Sequence, residues 1–176
     1  MSSITTQQCG PLSPALAADS TSGSFPARVP IVGPPPGGIT LSTGSIVKSL
    51  LKLVPYAVGS AGNTFSMRLL GWQPVGPWNG QGTDGRQWIP LPLLEVACTL
   101  GTTPGIVGLI PDNTHLYAST LTLAAWVNAN FSAEVINPGN NYAGYLNLDV
   151  KGCPVIEPIF QITASVTAMN VLVGGY

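Results

Sequence analysis

The sequence predicts an all-β protein: an antiparallel β-sandwich or jelly-roll-like domain preceded by an extended Pro-rich N-terminal arm. Three observations predict it. Apolar and polar residues alternate with period two in several separate stretches, most plainly Tyr145-Leu-Asn-Leu-Asp-Val150, where Leu146, Leu148 and Val150 share one face. Gly, Pro and Asn clusters punctuate the chain between those stretches and divide it into about eight strands from Ile39 onward. No stretch carries the apolar spacing of a convincing amphipathic helix, so the pattern is that of a sandwich or jelly roll.

Met1 to Gly38 reads as the arm. Pro11, Pro14, Pro26, Pro30 and Pro34-Pro-Pro36 recur among Ser, Thr, Gly and Ala, with almost no large apolar residue before Phe25. Such a segment builds no core of its own and favours extended, polyproline-like backbone. Two readings compete, a disordered tail and an arm that orders by lying on a neighbouring subunit; the apolar punctuation of Phe25, Val29, Ile31 and Val32, the expected partner-binding residues, favours an ordered second half.

The folded domain is expected from Ile39 to Tyr176. Its first segment, to Val58, reads as a strand offering Ile46, Leu50 and Leu53 to the core, although the spacing of Ile46, Val47, Leu50, Leu51 and Val54 also suits a short helix. Thr64 to Trp72 is a strand with Phe65, Met67 and Leu69 on one face, ended by Gly71. Gln73 to Gln87, with Pro74, Gly76, Pro77, Asn79-Gly80, Gly82 and Asp84-Gly85, is a long loop or protruding hairpin. Trp88-Ile89 leads into a strand from Leu93 to Leu100. Gly101 to Gly108 turns the chain, His115 to Trp126 is strand-like, and Phe131 to Ile136 is a short strand closed by Asn137-Pro-Gly-Asn-Asn141. Tyr145 to Val150, the turn Lys151-Gly152 and Val155 to Ile162 read as a hairpin, and Thr163 to Val173 as a third strand beside it.

A length of 176 residues suits one such domain with an arm. Charged residues are only 7% of the chain, where an ordinary soluble domain has about 25%. An isolated monomer needs interspersed charge to keep its copies apart, so this surface points to burial in an assembly. A net charge of −1, with six basic residues scattered singly, lacks the footprint of direct nucleic-acid binding. The longest apolar run, Leu50 to Val58, is broken by Lys52 and Pro55 and is far shorter than a spanning helix of about 20 residues, so no membrane role is expected. The first residues, Met1-Ser-Ser-Ile-Thr-Thr-Gln-Gln, lack the basic start and apolar core of a signal peptide, so synthesis in a reducing cytoplasm is expected.

Reactive residues form no recognisable set. Cys9, Cys98 and Cys153 are odd in number and widely spaced, and His115 is the lone imidazole, so neither a disulfide framework nor a metal site is expected. Cys98 alternates with Leu94, Val96 and Leu100 as a core residue would. There is no Gly-x-Ser-x-Gly elbow. Asp19, Asp84, Glu95, Asp112, Glu134, Asp149 and Glu157 are spread singly, whereas a glycosidase needs two carboxylates close together. Asp149 and Glu157 fall on the two arms of the expected hairpin, where pairing with Lys151 or Arg68 is the ordinary outcome. No catalytic, cofactor-binding or metal residue is therefore assigned. Trp72, Trp78 and Trp88 crowd the long loop and its edges, as candidate exposed loop contacts where rings stack on sugars or anchor a subunit interface, although packing is the default for Trp72 and Trp88 at strand ends.

Phe65-Ser-Met-Arg-Leu-Leu-Gly-Trp72, Trp88-Ile-Pro-Leu-Pro-Leu-Leu-Glu-Val-Ala-Cys-Thr-Leu-Gly101, Ser119-Thr-Leu-Thr-Leu123 and Asp149-Val-Lys-Gly-Cys-Pro-Val-Ile-Glu157, with Phe160 and Asn170, resemble small virion proteins of tailed bacteriophages. The likeness is greatest to the cement, or decoration, proteins on the outside of icosahedral heads, and it covers Phe65 to the C-terminus. The resemblance implies a non-enzymatic β-sandwich that forms a homo-oligomer, commonly a trimer, on the capsid outer surface. Its implied partner is the major capsid protein, and a terminal segment ties capsomers together. Two other readings stay open: a tail, adaptor or minor coat component, and a carbohydrate-binding module using the loop between Trp72 and Trp88.

Overall fold

The computed structural model describes residues 5–8, 25, 27–36, 38–41, 50–76, 85–104, 115–124, 133–139, 142–162 and 166–175, and these residues contain eleven strands and no helix. In chain order the strands are β1 (Thr5–Gln8), β2 (Ile31–Val32), β3 (Ile39–Thr40), β4 (Leu50–Val58), β5 (Thr64–Val75), β6 (Gln87–Pro104), β7 (His115–Leu123), β8 (Ala133–Ile136), β9 (Tyr145–Asp149), β10 (Val155–Ile162) and β11 (Thr167–Gly175). Every pairing among them is antiparallel. The expected all-β class is what the chain adopts. Leu50 to Val58 is strand, as preferred over helix, while Ile46 lies outside the described residues.

One hydrogen-bonded path runs β1-β11-β4-β7-β6-β5-β10-β3, with β9 also on β4 and β8 on β9. The corner is in β4. Its residues Leu50 to Leu53 pair with β9, whereas Tyr56 to Val58 pair with β7. Pro55 stands at the gap between those two neighbours, so on that side its missing N–H interrupts no ladder, while on the other side it lies opposite Val171 of β11. The same logic admits Pro90, Pro92 and Pro158 into long strands. β7 joins β6 only from Val96 onward and β3 joins β10 only at Val155 and Ile156, so these prolines have a partner on one side alone.

The main core lies between the two halves of this path. Phe65, Met67 and Leu69 of β5, Leu94, Val96 and Cys98 of β6, and Ile156 and Phe160 of β10 meet Leu51 and Leu53 of β4 and Leu146 and Leu148 of β9. The rings of Phe65 and Phe160 are 6.1 Å apart at a 45° tilt. A bulge opposite Leu69 and Leu70 adds Leu93 to β6, so that both Leu93 and Leu94 are buried. This shifts the parity of β6: Trp88, Pro90 and Pro92 share the face that Glu95 and Ala97 take beyond the bulge.

The expected hairpin of Tyr145–Val150 with Val155–Ile162 is not formed. The turn itself is present: Lys151 (φ 52°) and Gly152 (φ 73°) are left-handed, and the Cys153 N–H donates to the Val150 carbonyl at 3.0 Å. Beyond it β9 joins β4 and β8 while β10 joins β5 and β3, and β11 joins β4 and β1. Both strands carry an apolar face into the same core, a pattern that either arrangement satisfies, and here β9 is placed by β4 and β8 whereas β10 is placed by β5 and β3. Gly71 likewise does not end β5, which continues to Val75. A Cβ at Gly71 would overlap the Sγ of Cys153 and stand 3.1 Å from Leu93 Cδ1, so glycine is there for close packing.

Candidate interaction surface

The face of β10-β5-β6 turned away from the main core carries a second apolar layer. Register places Val155 beside Trp72 and Trp72 beside Pro90, then Glu157 beside Leu70 and Leu70 beside Pro92, then Ile159 beside Arg68 and Arg68 beside Glu95. Leu70, Trp72, Trp88, Val155 and Ile159 are buried as one cluster, separate from the main core. A sheet face that apolar needs a cover, and the N-terminal segment supplies it.

Residues 27–36, preceded by Phe25, form a strap across this face. Phe25 and Ile31 pack against the cluster. Ile31 and Val32 form β2 and pair with Trp88 and Gln87 at the start of β6. The Arg68 guanidinium lies 4.3 Å from the centroid of the Phe25 ring, a cation–π contact, and its Nε donates to Glu95 Oε2 at 2.7 Å. Glu157 is only 6% exposed. Its Oε1 accepts from Arg28 Nε at 2.9 Å and its Oε2 from Trp72 Nε1, also at 2.9 Å. A carboxylate at that depth is tolerated because each oxygen has a donor and the charge has a partner. The strap does not seal the face. A groove of about 230 Å³ lies between Arg28, Leu70, Pro92 and Ile159, another of about 170 Å³ between Val29, Pro36, Trp72 and Glu157, and the buried Trp88 Nε1 has no acceptor among the described residues.

Several sequence expectations change here. Trp72 and Trp88, read as exposed contacts, are 1% and 3% exposed, because the strap and β10 cover them; the sugar-stacking reading loses both rings. Trp78 lies outside the described residues. Of the four arm residues, Phe25 and Ile31 are engaged by their own chain, whereas Val29 and Val32 point outward at 66% and 75% exposure. Glu157 does not pair with Arg68, which belongs to Glu95; its partner is Arg28. Asp149 does pair with Lys151, at 2.7 Å. Sequence reasoning missed Arg28 as a site residue. A signal existed, since it is the sole basic residue among the first 47.

The reactive side chains stay apart. Cys98 and Cys153 are buried free thiols. Burial pushes the Cys98 thiol far above its ordinary range; it pushes Cys153 up to about 11, with the Asp149 charge adding to the rise and a hydrogen bond with Gln73 opposing it. Cys9 lies outside the described residues, and His115 begins β7. No cluster of three or more potential metal ligands occurs among the described residues. The arrangement on the β10-β5-β6 face therefore offers apolar and ion-pair recognition of a polypeptide.

No family model matches the chain, and neither a curated protein nor a solved structure is significantly similar to it.

Proposed function

We propose that this chain is a virion structural protein that decorates and stabilises an icosahedral phage capsid, without catalysis, by binding across capsomers. The observation that carries the proposal is the strap: a Pro-rich segment that presents Val29 and Val32 to the outside on a molecule with only 7% charged residues. Two large aliphatic side chains held outward on a charge-poor surface are what a fitted component needs, and what a solitary protein avoids. The resemblance of Phe65 to Tyr176 to phage cement proteins supplies the setting, with the major capsid protein and further copies of this chain as partners. Repeated modest contacts at one capsid site then act at high effective concentration and together resist outward pressure.

Antibody-gold labelling of phage particles that contain the chain tests this. Gold on the head surface is the expected result. Gold on the tail would make it a tail or adaptor component, and absence from purified particles would reject a virion role.

A further inference from the structure

We infer that Arg86 and Trp88 form a second carboxylate-binding site, and that its occupant is an acidic side chain of the capsid subunit on which the chain sits. This rests on the decoration reading and names the chemistry by which the partner is held.

The precedent is in the molecule itself. Glu157 is held at 6% exposure by an arginine Nε, that of Arg28, and an indole N–H, that of Trp72, one on each carboxylate oxygen and each at 2.9 Å. The same pair of donors recurs at the start of β6. Arg86 Nε and Trp88 Nε1 are buried, and they are the two buried side-chain polar atoms without a hydrogen-bond partner among the described residues. Such atoms are rare in a folded chain and destabilise it, so two of them side by side call for an acceptor from outside.

Their placement is regular. Ile31 lies opposite Trp88 and Val32 opposite Gln87, and the Gly33 N–H donates to the Arg86 carbonyl at 2.9 Å, so the ladder continues unshifted through Arg86. Residues two apart on a strand project from one face with their backbones about 7 Å apart, within the reach of a guanidinium and an indole. The described acids are engaged elsewhere: Glu95 with Arg68, Asp149 with Lys151, Glu157 with Arg28, and Glu134 with the Asn147 amide. Arg86 faces no carboxylate among the described residues. It is only half-buried, so the site reaches the surface through its side chain, and it adjoins the exposed Val32 across the ladder. A carboxylate is the fitting ligand because the matching donor pair already holds one, and the guanidinium makes its bond charge-assisted.

The full-length, 15N-labelled chain is titrated with acetyl-glutamyl-methylamide, and its indole N–H resonances are followed, that of Trp88 being assigned by its loss in Trp88→Phe. A saturable shift of the Trp88 resonance is expected, with Trp72 unmoved because Glu157 already occupies it, and Arg86→Met should abolish the shift. No shift, an equal shift of every indole, or a response to inorganic phosphate in place of the carboxylate overturns the inference, whatever the capsids do. With phage heads lacking the chain, Arg86→Met should weaken co-sedimentation about tenfold or more at an undiminished unfolding temperature, since no hydrogen bond of the described fold is lost with the guanidinium. Arg86→Lys should restore binding only in part, because a lysine has no Nε–H to set beside the indole. Unchanged capsid binding by Arg86→Met overturns the capsid as the source of the carboxylate, and a loss of self-association by light scattering in its place assigns that source to a second copy. Normal decoration by Arg86→Met without a Trp88 shift sinks the site and leaves the decoration role standing. A Trp88 shift in a parent chain that binds no capsid keeps the carboxylate site and rejects the capsid as its partner.

Discussion

At the scale of residues, Glu157 decides how the strap is held. Glu157→Gln keeps an acceptor for Trp72 Nε1 and removes the charge facing Arg28, whereas Arg28→Ala leaves a carboxylate at 6% exposure with Trp72 as its remaining donor. Unpairing a buried charge costs more than losing the pair as a whole. Arg28→Ala is therefore expected to destabilise by about 2–3 kcal/mol, and Arg28→Ala with Glu157→Gln by less than Arg28→Ala alone, as read from urea midpoints. The two thiols set a separate dependence on pH. The Cys153 thiol ionises near 9.0 when unfolded and is raised to about 11 in the fold, with Cys98 raised further. Their folded-state values lie above the unfolded one, so from about pH 9 upward the folded chain retains protons that the unfolded chain releases. Stability is complete below about pH 9 and falls as pH rises from there, by up to about 2.7 kcal/mol per pH unit for both thiols together. Cys98→Ala with Cys153→Ala should flatten urea midpoints between about pH 8.5 and about pH 10; an unchanged slope would show that the thiols are not its source.

Among the elements, the strand positions were legible and their neighbours were not. Alternation such as Phe65, Met67 and Leu69 reports which side chains share a face, and a turn such as Lys151-Gly152 reports a reversal, but neither reports which strand lies alongside. That is why β9 and β10 read as a hairpin although each pairs with other strands. β6 shows a second limit. The strand expected from Leu93 to Leu100 runs from Gln87 to Pro104, and Pro90 and Pro92 fit within it because the edge they face is unpaired only in the folded sheet. The outer apolar layer was equally hidden, since Leu70, Trp72, Val155 and Ile159 sit on what reads as the solvent face until the strap covers it. Gly71 gives these packing claims a measurable form. Gly71→Ala is expected to cost about 1–3 kcal/mol by overpacking against Cys153 and Leu93. Cys153→Ala should recover part of that loss by removing the sulfur, giving a double-mutant coupling measured by thermal unfolding; strict additivity would mean that the two side chains do not compete for space. The edge of β7 offers a further test. Asn137 Oδ1 accepts from the Leu121 N–H at 2.7 Å and its Nδ2 donates to the Leu121 carbonyl at 3.0 Å, taking the place of a neighbouring strand. Asn137→Ala should cost about 1–2 kcal/mol and speed amide exchange at Leu121.

For the whole molecule, the question is whether assembly can be separated from folding. Val29 and Val32 allow it, because both are largely exposed, Val32 on the outer strand edge and Val29 at the rim of the groove beside Trp72 and Glu157. Replacing exposed side chains that touch no core group changes stability by about 0.5 kcal/mol or less, whereas carboxylates at the same positions would have to be desolvated in any interface that buries them. Val29→Asp with Val32→Asp should therefore unfold at nearly the wild-type temperature, keep the Arg28–Glu157 pair, and lose binding to capsids by at least tenfold in co-sedimentation. The composition sharpens the expectation. With 7% charged residues, two added carboxylates are a large change in surface repulsion, so the variant should also stay dispersed at concentrations where the parent chain associates. If the variant binds capsids as the parent does, the outward face of the strap is not the contact, and the carrier of assembly must be sought on another surface of the sheet.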